Sequence, residues 1–392
     1  MSHSLATSSM IQALGMGSSP VAAVAASAAI KWITKDGLGA AGRLIVGGHL
    51  ASVFDEDPRR WRMVAESVST LGLALEIATQ MFPANFVALA GTGTLAKSMA
   101  KGMGRPCFRV IQAHFSASSN NFGDVAAKEE VWEVVAQLAG LASSVALLQA
   151  LEAAGQPEAV IPAWAAVHAV HVSLRYVALR SLRFPYPNQK RAAALASAHV
   201  ASGRVLSIDD GNAAEQILLP PSACRPHVEF GCSLDEALPP GSSPAALGLG
   251  SGGAGVAAAQ QLSAEQQQQL QALVQLYRGE RYLLTWHGGT AWVLLLEGAG
   301  REDQLRAVWQ AAWLEHHASQ QQPAAVARSN GSDPRAVGGA LGDASSSPGL
   351  LAASLQALHA QWASFEEEAR CEGWQLERAV LPQGRTRLRL EG

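Results

Sequence analysis

The chain is short of charge: only 16% of its 392 residues are Asp, Glu, Lys or Arg, against about 25% in an average soluble domain. An excess of one sign is missing too, since 29 basic and 32 acidic residues nearly cancel. That excludes the polycationic surface on which binding to a phosphate backbone depends, so nucleic acid is not an expected partner. The four cysteines, Cys107, Cys224, Cys232 and Cys371, include no C-x-x-C pair. Neither a zinc cluster nor a disulfide framework is indicated, and a reduced compartment fits. What is present is 48% hydrophobic residues, ample core material that excludes disorder as a description of the whole chain.

The length allows two or three domains. Up to Leu219 the sequence is Ala-rich and reads as successive helices, with charge nearly balanced. Residues 220–269 are rich in Pro, Gly and Ser and end in the glutamine run Gln266–Gln269, the composition of a linker. Residues 270–392 read as a small α+β module with an insertion loop at 319–348. The predicted fold is mainly α: a multi-helix N-terminal domain (1–219), a linker and an α+β C-terminal module.

The clearest helix runs from Trp61 to Phe82. Trp61, Val64, Val68, Leu71, Leu75, Ala78 and Phe82 recur at three- and four-residue spacings and predict the buried stripe, with Arg62, Glu66, Ser69, Glu76 and Gln80 facing out. Asp55-Glu56-Asp57-Pro58 marks its start. A second helix, 127–152, contains the uncharged stretch Val134–Leu151, at the lower limit for crossing a bilayer. Its Ala136, Gly140 and Ser144 allow close helix approach. A third helix, 162–183, follows Gly155-Gln156-Pro157, and the two can form a hairpin. Length leaves a membrane open for both, while Gln137 and Gln149 weaken the insertion signal. In the C-terminal part, 281–284 and 291–296 predict a β-hairpin around Gly288-Gly289. Residues 303–316 and 350–371 predict helices, and 374–381 with 386–390 a closing pair of strands.

Chemical motifs are few. Gly91-Thr92-Gly93-Thr94-Leu95-Ala96-Lys97-Ser98 nearly spells a phosphate-binding loop, but Ala96 stands where glycine is needed, so a Gly/Thr-rich helix connection is the better reading. His168 and His171 share a helical face, yet no third metal ligand has a recognisable spacing. The stretch from His114 to Lys128 concentrates Ser, Asn, His and Asp. It reads as a turn into a helix with Asp124 as N-cap, and no nucleophile elbow surrounds its serines. No catalytic motif is recognisable, and the residues name neither a cofactor nor a metal.

Trp32–Arg43, Phe54-Asp55 through Trp61-Arg62, Phe82-Pro83 to Phe86, and His114-Phe115 with Asn121–Lys128 together resemble the root UVB sensitive family. Leu174-Arg175-Tyr176, Asn188–Arg191, Gly203-Arg204-Val205, Glu215 and, more weakly, Gly373-Trp374 follow in the family's order. The likeness departs at Glu66, where the pattern leads one to expect an aspartate, and at an aromatic-rich segment that usually precedes the position of Leu5. The resemblance implies a protein without an established catalytic activity. It implies hetero-oligomers with another family member, plastid or membrane-associated relatives, and links to ultraviolet-B response, auxin transport, early development and vitamin B6 homeostasis. Asp36, Arg43, Arg62, His114, Asn121, Asp124, Lys128 and Arg175 form the candidate polar set. In apolar helical surroundings charges are costly unless paired, so these residues either interlock structurally or line a site for an anionic small molecule, a vitamin B6 phosphate compound being one conceivable ligand. The leading expectation is a non-enzymatic association or regulatory factor, and the alternative an anion-binding or carrier protein in or at a membrane.

Overall fold

The computed structural model describes residue 46 and residues 51–116, 121–156, 159–239, 264–326, 348–384 and 387–389. The Trp32–Arg43 motif, with Asp36 and Arg43, lies outside them. The chain divides into two compact units between Leu182 and Arg183.

The first unit is built from α1 (Ala51–Glu56), α2 (Pro58–Ala78), α3 (Phe86–Ser116), α4 (Phe122–Ala153) and α5 (Val160–Ser181). α2 starts as the sequence predicts: Pro58 occupies its first turn and Asp57 caps it, accepting from the Arg60 backbone N–H at 3.2 Å. Its buried face is not the predicted one. Ala65, Gly72, Leu73, Glu76 and Ile77 are buried, whereas Leu71 is 58% exposed and Phe82, beyond the helix end, 54%. The reason is the crossing with α3. A Cβ on Gly72 would lie 2.6 Å from the Gly93 carbonyl oxygen, and one on Gly93 would lie 2.7 Å from that of Gly72. Two glycines facing each other let the backbones touch, and the side of α2 that carries them turns inward. The near phosphate loop Gly91–Ser98 is therefore neither loop nor connection but the interior of one 31-residue helix. α4 packs on α3 and α5 on α2, with Leu73 and Ile77 against Ile161 and Trp164.

The second unit holds α6 (Gln189–Ser202), α7 (Ile208–Ala214), β1 (His227–Phe230), α8 (Leu234–Ala237), α9 (Ala264–Leu276), β2 (Tyr282–His287), β3 (Thr290–Leu296), α10 (Arg301–Val326), α11 (Pro348–Cys371) and β4 (Arg387–Leu388). The predicted hairpin is β2–β3, turning on Gly288 and Gly289, both at positive φ, as a tight two-residue turn demands. β1 and β4 pair in parallel with opposite ends of β3. Four sequence expectations shift. The predicted linker contributes β1 and α8, and only residues 240–263 of it lie outside the described residues. The insertion begins later, because α10 continues to Val326; residues 327–347 are outside the described set. Residues 374–381 form no strand. They carry a 3-10 turn, Leu376–Arg378, and one bridge from Val380 to Asn188, because their backbone N–H groups at Gln375 and Val380 bond Pro185 and Pro187. The unit boundary also precedes the composition shift at 219. α6 packs on α10 and gives Ala192, Leu195 and Ala196 to the same core as Trp309.

Candidate functional site

The helices of the first unit run antiparallel. Gly104 of α3 lies beside Arg62 of α2 and Lys97 beside Glu76. Gln112 of α3 bonds Glu129 of α4, and Glu66 of α2 meets His171 and Arg175 of α5. The starts of α2 and α4 and the ends of α3 and α5 thus share one end of the unit, and most of the charge of its described residues is toward that end. Toward the other end, residues 77–96, 134–151 and 159–174 contain no Asp, Glu, Lys or Arg. Glu152, exposed at the last turn of α4, stands beyond that region.

Along α4 and α5, large apolar side chains lie exposed. Trp132 is 71% exposed and Leu138 63% on α4, and Leu174 64% on α5; of the 32 residues of α4 only Ser144 is buried. At the border, Glu76 is buried between α2 and α3. Its carboxylate lies 2.6 Å from Lys97 Nζ and accepts from Thr94 Oγ1 at 3.1 Å. Gly93, Thr94 and Lys97, three residues of the phosphate-loop-like stretch, thus serve one buried carboxylate, a charge that is tolerable in an apolar interior only with such partners.

The candidate polar set does not converge as one group. Asp124 and Lys128 pair with each other at 2.8 Å on the exposed face of α4. Asn121, not Asp124, occupies the N-cap position, and Asp124 sits in the first turn, where its charge suits the helix dipole. His114, near the end of α3, has its ring tilted against that of Phe115, with centroids 5.4 Å apart. Arg62 and Arg175 do fall in one neighbourhood, that of Glu66, whose charge acts on both. His171 Nε2 lies 2.8 Å from Glu66 Oε1, and Arg175 Nε 3.7 Å from Oε2. Burial pushes the Glu66 carboxyl up, but the His171 hydrogen bond and charge, with Arg175 and Arg62, hold it below its usual value. Burial lowers the Arg62 pKa, and the like charge of Arg175 lowers it further. The nearby Cys107 thiol is pushed by burial to about 12, which leaves it a poor nucleophile. The His168–His171 pair is divided: His168 Nε2 contacts Thr70 Oγ1 at 2.6 Å, while His171 serves Glu66.

A second set of motif residues interlocks in the other unit. Arg191 is buried against Glu215, donates from Nε to the Tyr186 carbonyl at 3.1 Å, and stacks its guanidinium on Phe184 and Tyr186. The Asn188 side chain caps α6 by accepting from the Arg191 N–H at 2.9 Å, and Lys190 Nζ donates to the Gln216 carbonyl at 3.0 Å. Trp374 donates its indole N–H to the Leu206 carbonyl at 2.8 Å. A Cβ on Gly211 would lie 2.6 Å from the Trp374 ring, so that glycine is what admits the indole. These residues hold the unit together. Their order along the chain was legible, their partners across it were not.

A family model described as "Vitamin B6 photo-protection and homoeostasis domain" matches residues 1–203, and one described as "Root UVB sensitive protein, C-terminal" matches residues 255–386. The chain is 38% identical over 322 residues to "Protein root UVB sensitive 5" of Arabidopsis thaliana, covering 80% of this chain and 58% of that protein. It is 27% identical over 314 residues to "Protein root UVB sensitive 2, chloroplastic" of the same plant, covering 79% and 64%. "RUS family member 1" of Dictyostelium discoideum is 30% identical over 142 residues, covering 36% and 26%. The matched regions therefore span less than two thirds of each of these relatives. No solved structure matches the chain.

Proposed function

The chain belongs to the root UVB sensitive family, and from that premise we propose that it is a non-enzymatic association factor seated in a membrane by α4, with a second family member as its partner. The process it serves on this reading is vitamin B6 homeostasis, which the matching domain is named for. The observation that carries the membrane part is the exposure of α4. Among the described residues it is the one helix long and apolar enough to cross a bilayer, and its apolar side chains face outward. Residues 134–151 give about 27 Å of helix at 1.5 Å per residue, close to the roughly 30 Å of a hydrocarbon core. Asp124, Lys128, Glu129, Glu130 and Glu133 precede that stretch and Glu152 follows it, so charge would lie in water on both sides.

A soluble packing would leave Trp132, Leu138 and Leu141 in water, at about 1.5–3 kcal/mol for each large apolar side chain left unburied. The test is carbonate extraction and detergent partition of the expressed full chain. The protein is expected to stay with the membrane pellet and enter the detergent phase; quantitative release by carbonate overturns the spanning helix. A second reading, an anion-binding or carrier protein at the membrane, is favoured by one separate observation, the half-buried Arg62 and Arg175 on adjacent helices.

A further inference from the structure

We propose that Arg62 and Arg175 form a site for a phosphomonoester, a tetrahedral oxyanion borne by a soluble small molecule or by a lipid headgroup, in the seam between α2 and α5. This deepens the anion-binding reading and rests on it. Arg62 stands one turn before Glu66 on α2, Arg175 of α5 reaches to 3.7 Å from the Glu66 carboxylate, and the two guanidiniums act on each other as like charges. Neither donates a hydrogen bond to any described residue, and Arg175 Nε is shut off from solvent without an acceptor. Glu66 is the one carboxylate they share. It accepts from His171 at 2.8 Å and stands 3.7 Å from Arg175 Nε. Glu129, the other acidic group acting on Arg62, takes a hydrogen bond from Gln112. Two five-donor forks thus have two carboxylates near them, both already engaged by other donors.

A guanidinium fork matches the oxygens of phosphate bidentately, and a tetrahedral dianion can accept from two forks at once. The seam is open to a ligand: the side chains of Arg175 and His171 are 33% and 45% exposed, while Glu66 is only 11% exposed. α3 contributes shape rather than charge at this point. A Cβ on Gly104 would lie 2.5 Å from Arg62 Nη1, so the glycine leaves the space in which that guanidinium sits. Arg175 is also the first charged residue after the charge-free stretch 159–174.

The experiment uses the full chain in detergent and in nanodiscs. Inorganic phosphate is titrated calorimetrically into the detergent-solubilised protein. Nanodiscs of phosphatidylcholine with and without phosphatidic acid are compared for lipid retained on the purified protein. Saturable phosphate binding assigns the soluble source, and phosphatidic acid retained without phosphate binding assigns the headgroup. Either is expected to weaken about tenfold or more in Arg175→Ala and Arg62→Lys, since charge alone does not replace the fork. Gly104→Ala is expected to weaken it with little change in melting temperature, because only the tip of a flexible side chain has to move. Should Arg175→Ala fail to fold, Arg175→Lys and Gly104→Ala carry the test in its place. No saturable binding of either probe overturns both this site and the anion-binding reading. Binding that is equal in wild type and variants overturns the site alone.

Discussion

At the scale of single residues, the first unit depends on two glycines, the second of which lies in the stretch that nearly spells a phosphate loop. Gly72 and Gly93 meet backbone to backbone, and what an added methyl would strike is a carbonyl oxygen, not the tip of a side chain. Neither helix can yield locally, so Gly72→Ala and Gly93→Ala are each expected to destabilise by about 1–3 kcal/mol, the usual cost of overpacking. The same change at Gly123, with nothing within 4 Å of its Cβ position, is expected to be neutral or slightly stabilising. Thermal or denaturant unfolding of the three variants checks this; equal effects at all three would dismiss the close crossing. Polar residues follow the same logic. Glu76 falls on the predicted solvent side of α2 by periodicity, yet it is buried, because Lys97 and Thr94 supply from another helix what water would have supplied.

At the scale of elements, helix identity was legible and helix orientation was not. The capping Asp57-Pro58 fixed where α2 starts, and Gly288-Gly289 fixed the β2–β3 turn, since both signals act within a few residues. Which side of α2 faces inward depends on α3 and α5, many residues away. A stripe rule that places apolar residues inside does not foresee the outward Leu138 of α4 and Leu174 of α5.

Contacts between elements also carry a pH signature. His199 of α6 is buried, and its Nδ1 accepts the indole N–H of Trp309 of α10 at 3.1 Å, which requires that nitrogen unprotonated. Burial holds the His199 pKa below the ordinary 6.5, against a small opposing effect of Glu368. The folded state therefore binds the proton less well than the unfolded chain. The stabilisation is complete above pH 6.5 and is lost as pH falls from there through the lowered value. The melting temperature of the second unit is expected to drop between pH 7.5 and 5.5. His199→Gln should be less stable at pH 7.5, by about 1 kcal/mol for the lost hydrogen bond, and less sensitive to that acidification. An unchanged pH slope in the variant would place the titration elsewhere, with His287, whose pKa is also lowered by burial, the next group to substitute.

At the scale of the whole molecule, the division into units falls between Leu182 and Arg183, not at the change of composition near residue 219. α6 is Ala-rich like the helices before it, but its Ala192, Leu195 and Ala196 complete the core around Trp309. A fragment of residues 183–392 is accordingly expected to unfold cooperatively on its own. One beginning at Pro220 lacks α6 and the Arg191–Glu215 pair and is expected to be insoluble or to show no cooperative transition. Circular dichroism melts of the two decide it, and matching cooperative transitions would restore the boundary at 219.

The sequence by itself determined the helical character of the first half, the β-hairpin, the helix start at Asp57-Pro58 and membership of the family, all of which rest on local propensity or on the order of motif residues. It left undetermined which residues meet. The tertiary structure decided that Arg175 and His171 of α5 meet Glu66 one turn along α2 from Arg62, while Asp124 and Lys128 stand apart on the exposed face of α4. It also decided that the glycine-rich stretch lies within a helix and that apolar side chains of α4 point outward. Burial and ion pairing are settled by contacts between segments far apart in the chain, and no spacing within one segment encodes its partner.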